Sequence, residues 1–463
     1  MIKNGLFIFH RDFRIIDNKG LINASKSCDK LYTCFVFTPE QVSRNSYKSK
    51  NSIQFMIESL NDLQEEIASN NGELIIIYEN TLSALSKLIE TLNINGLFFN
   101  EDYTPYAKAR TEEVKQLCDK KNIICETSQD YYINKPGSVL NGKGVMYVRF
   151  TPFYESYFFD HSFESPNIYN VKNLSKTTKK IENRLILMEA MNNFVGKTND
   201  NIAVNGGRTN GLLIFQTALR NLNDYKDTRD TMSEKTTMLS AYIKYGCLSI
   251  REIVTKIRIT YSIHHELIRQ LIWRDFYMHL LSENPESLEG LTNSRMRKIR
   301  WSSNKDRLEK WKTGKTGFPI VDAGMRQMNE TGYMHNRVRM IVATFLSKIL
   351  YLDWRDGEKY FAQKLVDYDV ASNTGNWQAV VGGGLYAMPW FHILSPWTQS
   401  KKNDNDLEYI RKWVPELEDV PDKHIHKWYK YYKQNTDIDY LKPCVDFDKR
   451  QDEYIIKMKD ILS

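Results

Sequence analysis

At 463 residues the chain exceeds the usual allowance of about 100–200 residues per domain and is expected to divide into two or three domains. With 41% hydrophobic and 26% charged residues and a mean hydropathy of -0.52, it reads as soluble and globular, neither disordered nor collagenous. Lys and Arg exceed Asp and Glu by 64 to 57, a charge of +7 that permits a nucleic-acid partner without requiring one.

The opening MIKNGLFIFHRDFR meets Arg and Asp after a very short apolar run, so it reads as neither a signal peptide nor a spanning helix. Of the runs GLFIFH (5–10), LYTCFVFTP (31–39), ELIIIYE (73–79), GLFFNED (96–102) and NIICETS (122–128), several carry the β-branched and aromatic residues of buried parallel strands. Between them Ile53, Met56, Ile57, Leu60 and Ile67, and then Leu82, Leu85, Leu88 and Ile89, recur at helical spacing. The alternation predicts a doubly wound, Rossmann-like α/β domain over 1–130. The glycine-rich dinucleotide fingerprint is missing after the first strand, where HRDFR stands, which argues against a nicotinamide site. Residues 131–207, with KPGS, NGKG and KNLSKTTKKIENR, read as an irregular interdomain linker. From 208 to 463 the pattern is helical, through GLLIFQTALRNL, TMLSAYIKYG, IREIVTKIRI, ELIRQLIWRDFYMHLL and NRVRMIVATFLSKILYL. Six cysteines (28, 34, 118, 125, 247 and 444) lie without CxxC pairs and read as reduced thiols, not as metal ligands. No apolar run reaches membrane length. The expectation is an intracellular, soluble protein with no membrane partner and no metal; cytoplasm and nucleus are both left open.

Four groups of residues ask for more than packing. Gln270, Trp273, Arg274 and Tyr277 fall on one helical face. An amide, an indole, a guanidinium and a phenol together suit either a half-buried seam or a flat, partly polar ligand. In GYMHNRVRM (332–340), Asn336, Arg339 and Met340 share a face beside His335 and Arg337. Two arginines entering an apolar helix need anionic partners, and LVDYDVASN supplies Asp367 and Asp369. Trp301, Trp354 and Trp377 suit core packing or an electron-hopping route. The stretch 295–315 holds nine Lys/Arg with Trp301 and Trp311 interleaved, and reads as a solvated face or a phosphate-tracking rim.

Taken in order, these segments closely resemble the photolyase/cryptochrome family. The resemblance rests on HRDFRIIDN, YVRFTPFY (147–154), TTMLSAYIKYGCLS (236–249), LIWRDFY (271–277), GKTGFPIVDAGMRQMNETGYMHNRVRM (314–340), DWRDGEKYF (353–361), DYDVASNTGNWQ (367–378) and YIRKWVPEL (409–417). It covers almost the whole chain and is nearest to the class I cyclobutane pyrimidine dimer photolyases. It implies an α/β antenna domain followed by a helical domain that binds FAD, acting on UV-damaged DNA as a monomer. Carried over by motif, Tyr225, Thr236, Thr237, Met238, Leu239, Ser240 and Arg274 would hold the FAD phosphates and ribityl chain. Arg339 and Asp367 would flank its ring, Asp369 would accept from the ring edge, and Asn336 would lie near it. Asn373 would face flavin N5. Trp377, Trp354 and Trp301 would carry electrons to the flavin. Gln270, Trp273, Tyr277, Asn336, Arg337 and Met340 would meet the DNA, with Gln270, Asn336 and Met340 at the lesion. The implied reaction is light-driven electron transfer from reduced FAD to a dimer flipped out of the duplex.

Asn336 and Met340 stand where six-four photolyases carry histidines, which favours the cyclobutane dimer as substrate. Gln270 replaces a glutamate, which keeps an acceptor but removes its charge and predicts slower repair. Met238 looks more like the six-four and animal cryptochrome branch. Ala379 replaces a tryptophan of the WQW motif, so that Trp273 would lose its facing wall unless Trp390, Tyr386 or another ring of GGGLYAMPWF takes its place. The alternatives are a blue-light-sensing cryptochrome, against which Asn373 and the lack of a long tail before Ser463 both count, or a photolyase acting on six-four photoproducts or single-stranded DNA. GNWQ (375–378) resembles the single-strand-preferring group. The antenna pigment stays open: DYTPYAKAR (102–110) carries Lys108 and lacks the acidic residue wanted for a folate, so a deazaflavin, another flavin or an empty pocket are all allowed.

Overall fold

The computed structural model describes residues 1–159, 163–434 and 437–463. The chain forms two compact units. The first comprises Met1–Thr198, Val204–Leu222 and Thr237–Pro285; the second comprises Asn199–Ala203, Asn223–Thr236 and Glu286–Ser463.

The first unit is built on five parallel strands, β1 (Ile2–Phe9), β2 (Cys28–Phe37), β3 (Leu74–Tyr78), β4 (Gly96–Asn100) and β5 (Ile124–Ser128), in the order β3-β2-β1-β4-β5. All five runs become strands of one parallel sheet, and its central strands, covered on both faces by crossover helices, are left no polar side. Phe9 of β1 pairs with Phe35 of β2, and Phe7 with Phe98 of β4. The crossover helices begin on capping side chains: Asn18, Ser49, Asn80 and Thr104 each accept a backbone N–H of the first turn. Two end on asparagines in left-handed conformation, Asn93 at φ 54° and Asn122 at φ 53°.

Where a glycine-rich turn is absent, charged groups fix the exit of β1. Asp12 accepts from the His10 backbone N–H at 2.8 Å and from Asn100 Nδ2 at 2.6 Å. Burial raises its pKa to about 6. Arg14 pairs with Asp130 at 2.5 Å, and Arg251 reaches Asp17 at 2.9 Å and the same Asp130 at 2.6 Å. All of these side chains are buried, and their mutual pairing is what makes burial tolerable. The network ties the Ile250–Thr260 helix to the sheet, although its amphipathic pattern alone does not say which core it joins.

Two sequence expectations change locally. The stretch read as irregular contains the helices Phe150–Phe159 and Leu187–Phe194, the first rich in aromatic rather than helix-patterned residues. TMLSAYIKYG yields only the short helix Ser240–Lys244, because Met238 takes φ 54° before it and Gly246 φ 61° after it.

The second unit is helical around a core that includes Trp311, Phe318, Val338, Phe345, Trp377 and Trp428. The Asn336–Thr344 helix passes directly into a π-helical turn, Phe345–Ile349. On that turn Lys348 is buried and donates to the carbonyls of Trp390 and His392, both at 2.9 Å; burial lowers its pKa to about 7. Among the described residues, no helix is long and apolar enough to cross a membrane.

Candidate cofactor and lesion site

In the first unit the Glu266–Glu283 helix carries Gln270, Trp273, Arg274 and Tyr277 on one face, as their spacing requires. Its N-terminus is capped by His265, whose Nδ1 accepts the Leu267 N–H at 3.1 Å. Gln270 is half-buried and donates its Nε2 to Glu266 Oε1 at 2.7 Å. Trp273 stacks face to face on Phe150, with ring centroids 3.5 Å apart and planes 6° from parallel, and packs against Tyr277 at 5.7 Å. A stacking partner for Trp273 therefore exists within its own unit, contributed by Phe150 of YVRFTPFY. Arg274 donates to the Tyr131 carbonyl at 2.7 Å and lies over the Tyr132 ring at 4.3 Å. Tyr277 is buried.

TTMLS spans the division of the units, with Thr236 in the second and Thr237, Met238, Leu239 and Ser240 in the first. Leu239 is buried, Ser240 is exposed at the start of its helix, and Thr237 and Met238 are half-buried.

The second unit gathers the remaining polar residues. Thr236 Oγ1 shares a hydrogen bond of 2.9 Å with the Tyr333 hydroxyl, and Arg339 lies over the Tyr333 ring at 5.4 Å. Arg339 donates Nη2 to both oxygens of Asp367, at 2.9 and 3.1 Å, and Nε to the Met334 carbonyl at 2.8 Å. Burial works against the guanidinium, but Asp367 overrides it and holds the pKa above its ordinary value. Thr236, Arg339 and Asp367 are thus one connected group, with Tyr333 as a member that the sequence reading did not single out. Tyr225 opens the short Tyr225–Thr228 helix and is half-buried.

The two acidic residues of DYDVASN divide their work. Asp367 pairs with Arg339, whereas Asp369 caps the Val370–Val381 helix by accepting the Ser372 N–H at 3.0 Å. The other arginine, Arg337, finds its anion elsewhere: Asp230 takes Nη2 at 2.6 Å and Nε at 3.3 Å. Asp230 lies about a hundred residues earlier in sequence, outside any motif. Asn336 is exposed at the first position of its helix, and Met340 is half-buried on the same helix. His335 caps that helix through Nδ1, and burial lowers its pKa to about 4.

Asn373 is held from one side. Its Nδ2 donates to Glu358 Oε1 at 2.9 Å and to the Glu358 carbonyl at 3.2 Å. The same Oε1 accepts from Tyr368 and Thr374, each at 3.2 Å. With its nitrogen fixed, Asn373 has its side-chain oxygen directed away from Glu358. Glu358 is buried, and its place within DWRDGEKYF was the one signal the sequence held for it.

Trp377 and Trp354 are 2% and 3% exposed, and Trp301 is half-buried. Trp377 meets Phe361 edge-on at 5.1 Å and Trp311 at 6.3 Å, while Trp301 packs on Tyr351 at 5.4 Å. Gly357 lies so close to the Trp377 indole that any Cβ would overlap it. Ala379 is 3% exposed, and its carbonyl accepts the Met388 N–H at 3.0 Å, so the segment after the helix folds back over the position.

Beyond the C-terminal ends of β1 and β2 lies a cavity of about 400 Å³, lined by Phe35, Val36 and Tyr106 and by Thr38, Arg44 and Arg110. Strand ends of an open parallel sheet are where such folds bind ligands. Lys108 does not line it; its Nζ donates to the Ser282 carbonyl at 2.7 Å.

Residues 6–177 match the family model for DNA photolyase, and residues 267–460 match that for the FAD binding domain of DNA photolyase. The deoxyribodipyrimidine photo-lyase of Alkalihalophilus pseudofirmus is 34% identical over 460 residues, covering 96% of this chain and 95% of that protein. The Escherichia coli deoxyribodipyrimidine photo-lyase is 31% identical over 457 residues, covering 95% and 94%. Among solved structures, the archaeal photolyase from Sulfolobus tokodaii, crystallised with two FAD molecules, aligns with a TM-score of 0.87 at 33% identity over 99% of this chain and 100% of its own. A class III photolyase from Agrobacterium tumefaciens aligns at 0.91 with 27% identity, over 100% and 98%.

Proposed function

This chain belongs to the DNA photolyase family, and from that premise we propose that it repairs cyclobutane pyrimidine dimers in UV-damaged DNA, using light and reduced FAD. The observation that carries the cofactor is the group in the second unit: a guanidinium paired to a carboxylate (Arg339–Asp367) and an amide tethered by its nitrogen (Asn373). A ring edge that alternates N–H and C=O groups needs such a set of fixed donors and acceptors. When bound, FAD supplies the excited electron that opens the cyclobutane ring. Arg339 and Asp367 hold the ring, with Asp369 and Asn336 toward its edges. The tethered Asn373 offers its carbonyl oxygen to an N–H, which favours a protonated, reduced ring. Tyr225, Thr236, Thr237, Met238, Leu239, Ser240 and Arg274 hold the phosphates and ribityl chain.

Trp377, Trp354 and Trp301 carry electrons inward; the rise in exposure from the first two to the third supports an entry point at Trp301. Gln270, Asn336 and Met340 meet the lesion, and Trp273, Tyr277 and Arg337 line its approach. Asn336 is exposed at a helix start, free to donate to a pyrimidine carbonyl, and neither it nor Met340 can deliver the proton that six-four repair demands. The cavity at the ends of β1 and β2 takes an antenna pigment, with Arg44 and Arg110 for an anionic group and Tyr106 and Phe35 for a ring.

The test uses purified, photoreduced protein with oligonucleotides carrying one thymine dimer or one six-four photoproduct, followed by chromatography with and without blue light. Light-dependent loss of the dimer alone is expected. Repair of neither lesion by a protein with FAD bound and photoreducible would refute the enzyme reading and favour a light-sensing role.

A further inference from the structure

Gln270 is an amide at a position assigned to the lesion, and an amide has two unlike ends. Turned one way it offers a pyrimidine N–H an acceptor; turned the other way it presents a second donor to that N–H and loses the bond. Glu266 stands one helical turn earlier on the same face, and Gln270 Nε2 donates to Glu266 Oε1 at 2.7 Å. An ionised carboxylate can only accept, so this contact forms only with the amide nitrogen toward Glu266 and the carbonyl oxygen turned away. The backbone that carries Glu266 is anchored: His265 takes the Leu267 N–H on Nδ1 and meets the Leu222 carbonyl with Nε2 at 3.0 Å. The neighbouring Arg269 is directed over Phe150 and Tyr154, at 5.5 and 5.1 Å.

We infer that Glu266 is a positioning residue that sets the orientation of the Gln270 amide, so that its carbonyl oxygen faces the flipped pyrimidine. The inference rests on the reading of Gln270 as a lesion contact. Glu266 also places a carboxylate one turn along the helix from position 270. The Glu266–Gln270 pair thereby does in two residues what a single glutamate at 270 would do in one.

The test is a double-mutant cycle on the FAD-loaded protein: wild type, Glu266→Gln, Gln270→Glu and the double variant. Each is measured in the dark for binding to an oligonucleotide with one thymine dimer and to its undamaged twin, across pH, with thermal melting alongside. In the wild-type background Glu266→Gln frees the amide to turn and is expected to weaken dimer binding by about 3- to 10-fold, the worth of one hydrogen bond, without changing binding to undamaged DNA. In the Gln270→Glu background the sign reverses. Two carboxylates at i and i+4 repel, one of them holds a proton to higher pH, and replacing Glu266 relieves the strain and tightens binding. A residue that only stabilised the helix would act in the same direction in both backgrounds. Wild type that prefers the dimer while Glu266→Gln binds it equally well, or a change of the same sign in both backgrounds, would overturn the inference alone. Wild type that shows no preference for the dimer would overturn the reading of the site and the inference with it.

Discussion

Glu358 is the residue on which the orientation of Asn373 depends, and replacing it separates a structural from a chemical role. Three donors converge on Oε1: Asn373 Nδ2 at 2.9 Å, and the Tyr368 and Thr374 hydroxyls at 3.2 Å each. A hydrogen bond to a charged acceptor contributes about 1.5–3 kcal/mol net, but these are not additive. Tyr368 and Asn373 are half-buried and regain water when the carboxylate is removed, whereas Thr374 is buried and does not. Glu358→Ala is therefore expected to cost about 3 kcal/mol. For a unit of this size that corresponds to a drop in Tm of about 6–12 °C. Glu358→Gln keeps an acceptor oxygen and loses only charge, so it should cost about 1 kcal/mol. The assay pairs thermal melting of the FAD-loaded protein with the rate at which air re-oxidises the reduced flavin in the dark. With the 2.9 Å bond to Oε1 gone and only the 3.2 Å bond to the backbone carbonyl at 358 left, Asn373 is held less firmly, and re-oxidation should quicken in the alanine variant and much less in the glutamine variant. Equal melting of Glu358→Ala and wild type would refute the stability argument. Unchanged re-oxidation in a destabilised variant would refute the orienting role.

Burial lowers the His335 pKa from its ordinary 6.5 to about 4, so the unfolded chain takes up this proton first as the pH falls. Stability from this group is full above pH 6.5 and is lost as pH falls toward 4, by about 3 kcal/mol in all; urea titrations across that range should show the loss, and His335→Gln should flatten it. Trp377→Phe should abolish photoreduction of the oxidised flavin while leaving repair by chemically reduced protein near wild type, as flash photolysis and a repair assay would separately show. Phe150→Ala removes a buried ring from the face of Trp273 and should destabilise the first unit by about 3–5 kcal/mol, seen in denaturant melts. The same variant should weaken binding of dimer-containing DNA more than of undamaged DNA.

How far the sequence reaches depends on how local the physics is. The four strands β1 to β4 were legible because a strand buried on both faces must be a short apolar run, and the edge strand β5, although none of its residues is buried, still followed its run NIICETS. Helices with a clear apolar face, such as Lys50–Ser69 and Ile250–Thr260, were legible for the same reason. The pairing of Arg339 was within reach, because its anion lies in a neighbouring motif. Other features were settled only by tertiary structure. Periodicity reports that a helix has an apolar face but not which core receives it; the Asp17–Arg251–Asp130 network assigns the Ile250–Thr260 helix to the sheet. The pairing of Arg337 with Asp230 across 107 residues and the stacking of Phe150 on Trp273 are contacts between segments distant in sequence, and the convergence of three donors on Glu358 depends on how two neighbouring helices pack. No local pattern encodes them, because a side chain's partner is chosen by what the folded backbone brings within about 3 Å of it, not by its neighbours along the chain. Residue types and their order named the chemistry that was needed; the fold decided which carboxylate holds which arginine, and which way each amide turns.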